Sequence, residues 1–203
     1  MKNIVLGFAA LSLASTLSFA EELPKPIKSS GVFFGVDYFQ GESEYKVDVS
    51  GLFSGDEEFD QTGVRVKFGV HDKNNIRFQG YLKIEDFDDA FDDKIYGFGA
   101  DAIFTFPVQP TFSPYLLVGF SSDWTELDDP GIEYSEDSLN AFALKGGVGA
   151  LFRLNQKIEL QAGFDIQYRS WQEIEVDDPM FGRVDIEQED VSKTIYLGLN
   201  FFF

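Results

Sequence analysis

From residue 158 to residue 168 the side chains alternate without a break. Ile158, Leu160, Ala162, Phe164, Ile166 and Tyr168 fall on one face, and Glu159, Gln161, Gly163, Asp165 and Gln167 on the other. A period of two predicts a strand with one apolar and one polar face. Its length of about eleven residues is what a tilted strand needs to cross a bilayer, and exceeds the usual strand of a soluble domain. The pattern recurs over residues 76–85, with Ile76, Phe78, Leu82 and Ile84 opposed to Arg77, Gln79, Tyr81, Lys83 and Glu85. It recurs over 62–70, where Val64, Val66, Phe68 and Val70 oppose Arg65, Lys67 and Gly69. Segments 31–41, 94–106, 114–122, 140–153 and 191–203 alternate in the same way, with more Gly and Phe on the second face.

These are eight segments, an even number, as a bacterial barrel with both termini in the periplasm requires. The segments between them alternate in length. Residues 71–75, 107–113 and 154–157 are short and carry turn residues such as Asn74, Asn75 and Pro110, so they are expected to be periplasmic turns. Residues 42–61, 86–93, 123–139 and 172–190 are long and are expected to be outward-facing loops. Tyr38, Tyr96, Trp124, Tyr168 and Trp171 fall at the expected outer strand ends, and Phe104, Phe106, Phe152, Phe201 and Phe203 at the inner ends, as two interfacial girdles. The fold class expected is all-β: an eight-stranded, antiparallel, up-and-down transmembrane barrel.

The chain opens with Lys2, an apolar stretch from Ile4 to Leu17, and Ser18-Phe19-Ala20. That reads as a signal peptide cleaved after Ala20, too short for a comfortable spanning helix. Residues 1–20 are therefore set aside, 21–30 are expected to be a short periplasmic segment, and 31–203 the barrel. Without Cys, neither disulfides nor lipid attachment at an N-terminal Cys is available. The net charge of −19 argues against nucleic acid as a partner and against attraction to bare anionic lipid. Yet there are 23 Phe, so acid and apolar surface must be separated in space.

Charged residues of the second faces are expected to point inward: Asp37, Arg65, Lys67, Arg77, Lys83, Glu85, Asp101, Lys145, Arg153, Glu159, Asp165 and Arg169. An eight-stranded barrel is only wide enough for its own side chains, so they should form a salt-bridged plug, with a narrow path for small or apolar solutes as the alternative. Glycines 35, 69, 97, 99, 147, 149, 163 and 198 would make room for the Arg and Lys stems. An arginine at position 160 or 164 should meet hydrocarbon, whereas one at 161 should join a polar interior more cheaply. A soluble lipocalin-like barrel, with every strand reversed so that the apolar faces point inward, is the remaining architecture.

The acid is concentrated in the four long segments, which hold 27 of the 35 Asp and Glu residues. Solvation and repulsion from anionic lipopolysaccharide account for it, and cation binding by Asp86, Asp88, Asp89, Asp92 and Asp93 is a weaker reading, with no EF-hand pattern. No cofactor is expected. Enzymatic barrels need a His beside Ser, Asp or Glu, and the one His here, His71, falls in an expected periplasmic turn as a solvated residue.

The last strand ends Ile195-Tyr196-Leu197-Gly198-Leu199-Asn200-Phe201-Phe202-Phe203, with Ile195, Leu197, Leu199, Phe201 and Phe203 on one face. It looks like the assembly signal of outer-membrane proteins. With the eight alternating strands, the chain resembles the small porin-like barrels typified by OmpX, OmpW and the membrane domain of OmpA. The resemblance covers the mature chain in architecture, and in motif only at its carboxy terminus. It implies a monomer lying in outer-membrane lipid and lipopolysaccharide, delivered by periplasmic chaperones and read by the barrel assembly machinery at the last strand, with Phe203 as the principal contact.

Overall fold

The computed structural model describes residues 31–49, 53–72, 75–87, 94–126, 138–178 and 182–203, and the expected signal peptide and periplasmic segment lie outside these. The strands are β1 (Gly31–Val49), β2 (Phe53–His71), β3 (Ile76–Phe87), β4 (Ile95–Thr105), β5 (Phe112–Glu126), β6 (Ser138–Arg153), β7 (Ile158–Trp171), β8 (Ile174–Asp178) and β9 (Gly182–Phe202). Sequential strands pair antiparallel from β1 to β7, β7 pairs with β9, and β9 returns to β1. Eight strands thus close a barrel, which removes the edges that an open sheet would present within the membrane. The ninth, β8, folds back on the start of β9 outside the closed ring.

Facing follows the alternation. In β3 buried and exposed positions alternate along its whole length, with Arg77, Gln79, Tyr81, Lys83 and Glu85 inside and Phe78, Leu82 and Ile84 outside. Exposed Val36, Phe68, Phe98, Val118, Phe120, Leu144, Phe164 and Leu197 continue the apolar belt around the barrel. Polar inside and apolar outside is the reverse of what a soluble lipocalin-like barrel needs, and that alternative falls.

The largest departure from the sequence expectation lies at the long-loop end. There β1 and β2 remain paired from Gly41↔Gln61 out to Val49↔Phe53, and β1 pairs with β9 as far as Val49↔Ile186. Much of two expected loops is therefore strand. About eight residues of β1 rise beyond the belt, roughly 25 Å along the strand. The outward face here carries Glu42, Glu44, Lys46 and Asp48 in place of apolar residues, while Ser43 and Tyr45 turn inward, so no apolar alternation announces the strand in the sequence. The cross-strand pairing holds it instead.

At the other end the connections are tight. Asn75 adopts φ 62°, a left-handed conformation that asparagine tolerates. Its carbonyl oxygen accepts both the Thr105 amide and the Thr105 hydroxyl, each at 2.8 Å. His71 does not lie in the turn: it closes β2 opposite Gly31 and Arg77, and is half-buried. Phe202 donates its amide to the Lys157 carbonyl and Phe203 to the Val32 carbonyl, which seals the carboxy terminus into the ring.

The girdles are mostly where the aromatic pattern puts them. Tyr38 and Tyr168 face outward, Tyr96 stacks on Trp124 at 6.1 Å, Phe104, Phe106, Phe201 and Phe203 are exposed, and Phe152 packs on Phe112 at 5.0 Å. Trp171 is the exception. It is 5% exposed and points inward, because its position has the parity of Arg169, Gln167 and Asp165 rather than that of Tyr168.

Candidate functional site: a charge-balanced lumen under an aromatic cap

The lumen is filled in tiers. Nearest the short turns, Arg77 grips Glu159 with two hydrogen bonds of 2.6 and 2.8 Å, while Asn200 donates to Glu159 at 3.1 Å and half-buried Arg153 approaches it at 3.6 Å. The fork geometry suits a carboxylate. The Arg77 guanidinium also lies over the rings of Phe33 and Phe202.

In the middle tier Lys67 donates to Asp37 at 2.5 Å and to Gln161 at 2.6 Å. Arg65 lies between Asp165 at 3.6 Å and Asp37 at 3.9 Å, and is enclosed by the rings of Tyr81, Phe39 and Tyr196. Lys145 meets Asp101 at 2.9 Å, and Gln79 donates to the same carboxylate at 2.8 Å. The hydroxyls of Tyr115 and Tyr196 hydrogen-bond to each other, and Gln161 donates to Tyr115 at 3.2 Å. Gln161 is therefore already the neighbour of an ammonium group. An arginine at 161 would place two cations together in a filled space, so the cheap substitution expected from the sequence is not available there.

Above this, Arg169 is fully buried and reaches Glu85 at 2.6 Å, Asp123 at 2.9 Å and Asp190 at 3.5 Å, with Lys83 bridging Glu85 and Asp123. Trp171 donates its indole N–H to Asp190 at 2.9 Å, and Ser43 and Ser192 donate to the same residue. Trp171 then turns an apolar face upward into a cluster with Phe87, Ile95, Leu139 and Ala141, packed by Tyr45 and Phe59. This cluster closes the outer end of the charged tiers.

All twelve charged residues read from the sequence as luminal lie within this network, with Arg153 at its half-open lower end. Two members were missed. Asp123 and Asp190 had been assigned to loops, yet both are buried and carry the upper tier. Parity would have found them: Asp123 continues Gly119 and Ser121, and Asp190 continues Thr194 and Ser192. The buried lumen then holds seven carboxylates against six cations, and Arg153 brings the cations to seven. The charges inside cancel, so the net −19 of the chain is carried outside the lumen.

A second missed feature is how the space is made. Asp37 lies opposite Gly198, Asp101 opposite Gly119, Asp123 opposite Gly97 and Asp165 opposite Gly147, each on the neighbouring strand. Tyr81, Tyr115 and Tyr196 lie opposite Gly99, Gly149 and Gly163 in the same way. A Cβ at Gly198 would collide with the Asp37 carboxylate and with the Val36 carbonyl oxygen. The glycines accommodate chiefly carboxylates and aromatic rings, with the Lys67 and Lys83 stems over Gly35 and Gly97 as the cases that match the sequence expectation.

Of the weaker cation-binding candidates, Asp86 is exposed on β3, while Asp88, Asp89, Asp92 and Asp93 lie outside the described residues. Among the described residues no group of three or more His, Cys, Asp or Glu side chains is placed to hold a metal ion. The five carboxy-terminal residues read as an assembly signal all face outward on β9 or just past it, Phe203 being 88% exposed.

A closed eight-stranded barrel with an apolar belt and a polar, filled interior defines an integral outer-membrane barrel protein. The chain belongs to the outer membrane protein beta-barrel domain family, whose model matches residues 6–203. A solved structure shares the fold. Neisserial surface protein A is 20% identical, with 81% of this chain and 95% of that one covered, at a TM-score of 0.50. The amino-terminal barrel domain of Pseudomonas aeruginosa OprF is 14% identical over 83% and 97% of the two chains, at 0.46. OprG from Pseudomonas aeruginosa is 11% identical over 90% and 99%, at 0.48. No curated protein matches the chain. The family places the protein in the Gram-negative outer membrane.

Proposed function

We propose that this is a sealed, non-enzymatic outer-membrane barrel that acts through its outer rim, in envelope structure or surface contact. The observation that carries this reading is the filled lumen, in which three tiers of neutralising ion pairs are closed above by an aromatic cluster. Such a lumen supports rigidity, and leaves the acidic rim as the part that meets the surroundings. The single His is at the periplasmic end, away from the outer leaflet.

The test is electrical. Refolded protein in planar bilayers should show no steady conductance steps, and its folded form should migrate differently on gels before and after heating. Sustained ion-conducting steps would favour the narrow-channel reading. Release of the protein into the soluble fraction by carbonate washing would overturn the membrane assignment.

The same reading includes export with cleavage after Ala20 and recognition of the last strand by the barrel assembly machinery after delivery by periplasmic chaperones. It takes the protein as a monomer bordered by lipid and lipopolysaccharide. The outward row Ile195, Leu197, Leu199, Phe201 and Phe203 supports it, since these side chains make few contacts inside the finished barrel and are free to be read before closure. Deleting Phe203 should lower the assembled, heat-shiftable protein several-fold with synthesis unchanged. Equal amounts of folded mutant and wild type would remove Phe203 from that role.

A further inference from the structure

We propose that a groove in the outward wall of the barrel, floored by Gly80, Ala100 and Ala102, seats one acyl chain of a phospholipid. The belt around it is built mostly from Val, Leu, Ile and Phe. Two adjacent cross-strand rows depart from this. Phe68, Gly80, Ala100 and Phe120 lie opposite one another in turn from β2 to β5, and Phe78, Ala102 and Val118 do so one step nearer the short turns. Large side chains thus stand on both sides of small ones. Between them lies a groove of about 630 Å³, open to the outside and bounded at its far end by Leu144.

The fold itself does not require the glycine in the floor. At luminal Gly35, Gly69 and Gly99 a Cβ would collide with a neighbour, whereas at Gly80 it would meet nothing closer than the Gly99 carbonyl oxygen, at 3.8 Å. The Gly80 backbone is not left-handed either. Glycine inside a strand weakens it, and marks a place where another group approaches closely. At position 80 that group lies outside the barrel.

The groove is continuous with the belt, so hydrocarbon is what covers it. A chain on a flat stretch of belt touches protein on one side. In the groove it is touched on three, and each added contact contributes dispersion. The direction of the groove fits one leaflet. It runs from Val70, next to the end of β2, across to Leu144 in the middle of β6. Four inter-strand spacings span roughly 19 Å, and half of the hydrocarbon core is about 15 Å deep. A slanted chain entering from the short-turn side therefore reaches the midplane along it. With the short turns toward the periplasm, the orientation on which this choice rests, the chain comes from a phospholipid and not from lipopolysaccharide. A second copy of the barrel is the poorer occupant, since the net −19 lies outside the lumen and opposes the approach of two like rims.

The test uses the mature chain refolded in vesicles of palmitoyl-oleoyl phosphatidylglycerol, transferred to detergent and weighed intact by native mass spectrometry. Three variants are compared: Gly80→Leu/Ala100→Leu, which fills the groove, Phe68→Ala, which removes a wall, and Val36→Leu, an exposed position on β1 outside it. Wild type and Val36→Leu should each retain one phospholipid per barrel. Filling the groove should lower retention several-fold while the heat-shifted gel band of the folded barrel is kept, because the barrel has room for the added side chain. Phe68→Ala should lower retention as well. In the vesicles, a phosphatidylglycerol spin-labelled near its chain end should show a slow component that the filled variant lacks. Equal retention by wild type and filled variant would overturn the proposal. Cross-linked dimers that disappear on filling the groove would overturn it too, in favour of a second copy. The chain has no Cys, so labelling of Gln156→Cys in intact cells reports the orientation separately. Labelling from outside would overturn the choice of phospholipid as the source.

Discussion

Arg169→Ala should destabilise the folded barrel by about 3–5 kcal/mol, the range for removing one partner of a buried ion pair and stranding the other. Arg169 is fully buried and serves Glu85, Asp123 and Asp190 together. Lys83 still reaches Glu85 and Asp123 in the variant, but Asp190 would keep only neutral donors, from Trp171 and Ser192 among others. Urea unfolding in detergent or lipid vesicles, followed by tryptophan fluorescence, measures the difference. Trp171 packs against the Arg169 guanidinium, so the probe sits where the damage is done. Lys46→Ala, at an exposed pair, should change stability by less than about 1 kcal/mol. If the two variants unfold alike, the upper tier does not hold the lumen together.

Phe164→Arg should cost about 2–4 kcal/mol, because it places a cation against hydrocarbon near the midplane. Phe164 faces outward between Val148 on β6 and Ile195 on β9, both exposed on the same belt. Tyr168→Arg, four residues nearer the outer rim, should cost about 0–1 kcal/mol, since the charge can reach the interface. The gradient between the two positions is the signature of lipid. A soluble barrel with the same substitutions would show no dependence on depth, and spin labels at 160 and 164 should report lipid while a label at 161 reports a packed interior.

The strand cores were legible because each of them separates two unlike environments. Ile158–Tyr168 alternates since lipid lies on one side and ions on the other, and the same contrast marks all eight spans. Where the contrast ends, so does the signal. Residues 42–49 and 53–60 carry acid on the outward face where the spans carry an apolar belt, and their acidic run looks like loop although the backbone pairs as strand. Trp171 was misplaced for a related reason: an aromatic near a strand end suggests an interface, but strand parity decides the direction in which it points. The interior itself was more legible in its charges than in its apolar bulk. Phe33, Phe39, Tyr115, Leu117, Leu151 and Tyr196 face inward as well. A filled lumen needs bulk as well as polarity, and parity alone cannot weigh a Phe toward lipid against a Phe toward an arginine.

The luminal glycines lie in cross-strand pairs, each with a larger residue on the neighbouring strand, and this couples positions far apart in the sequence. Asp37 and Gly198 share one compartment although 160 residues separate them, and Asp101 with Gly119 or Asp165 with Gly147 share others. Enlarging either member alone leaves no room for its partner. Drift on the inner wall must therefore proceed by compensated exchange, in which a large residue and a small one trade strands, while the lipid-facing wall is free to change one apolar residue at a time. The two faces of the same strand should accordingly record ancestry by different rules, and the inner one should preserve the barrel's register after the outer one has lost all resemblance.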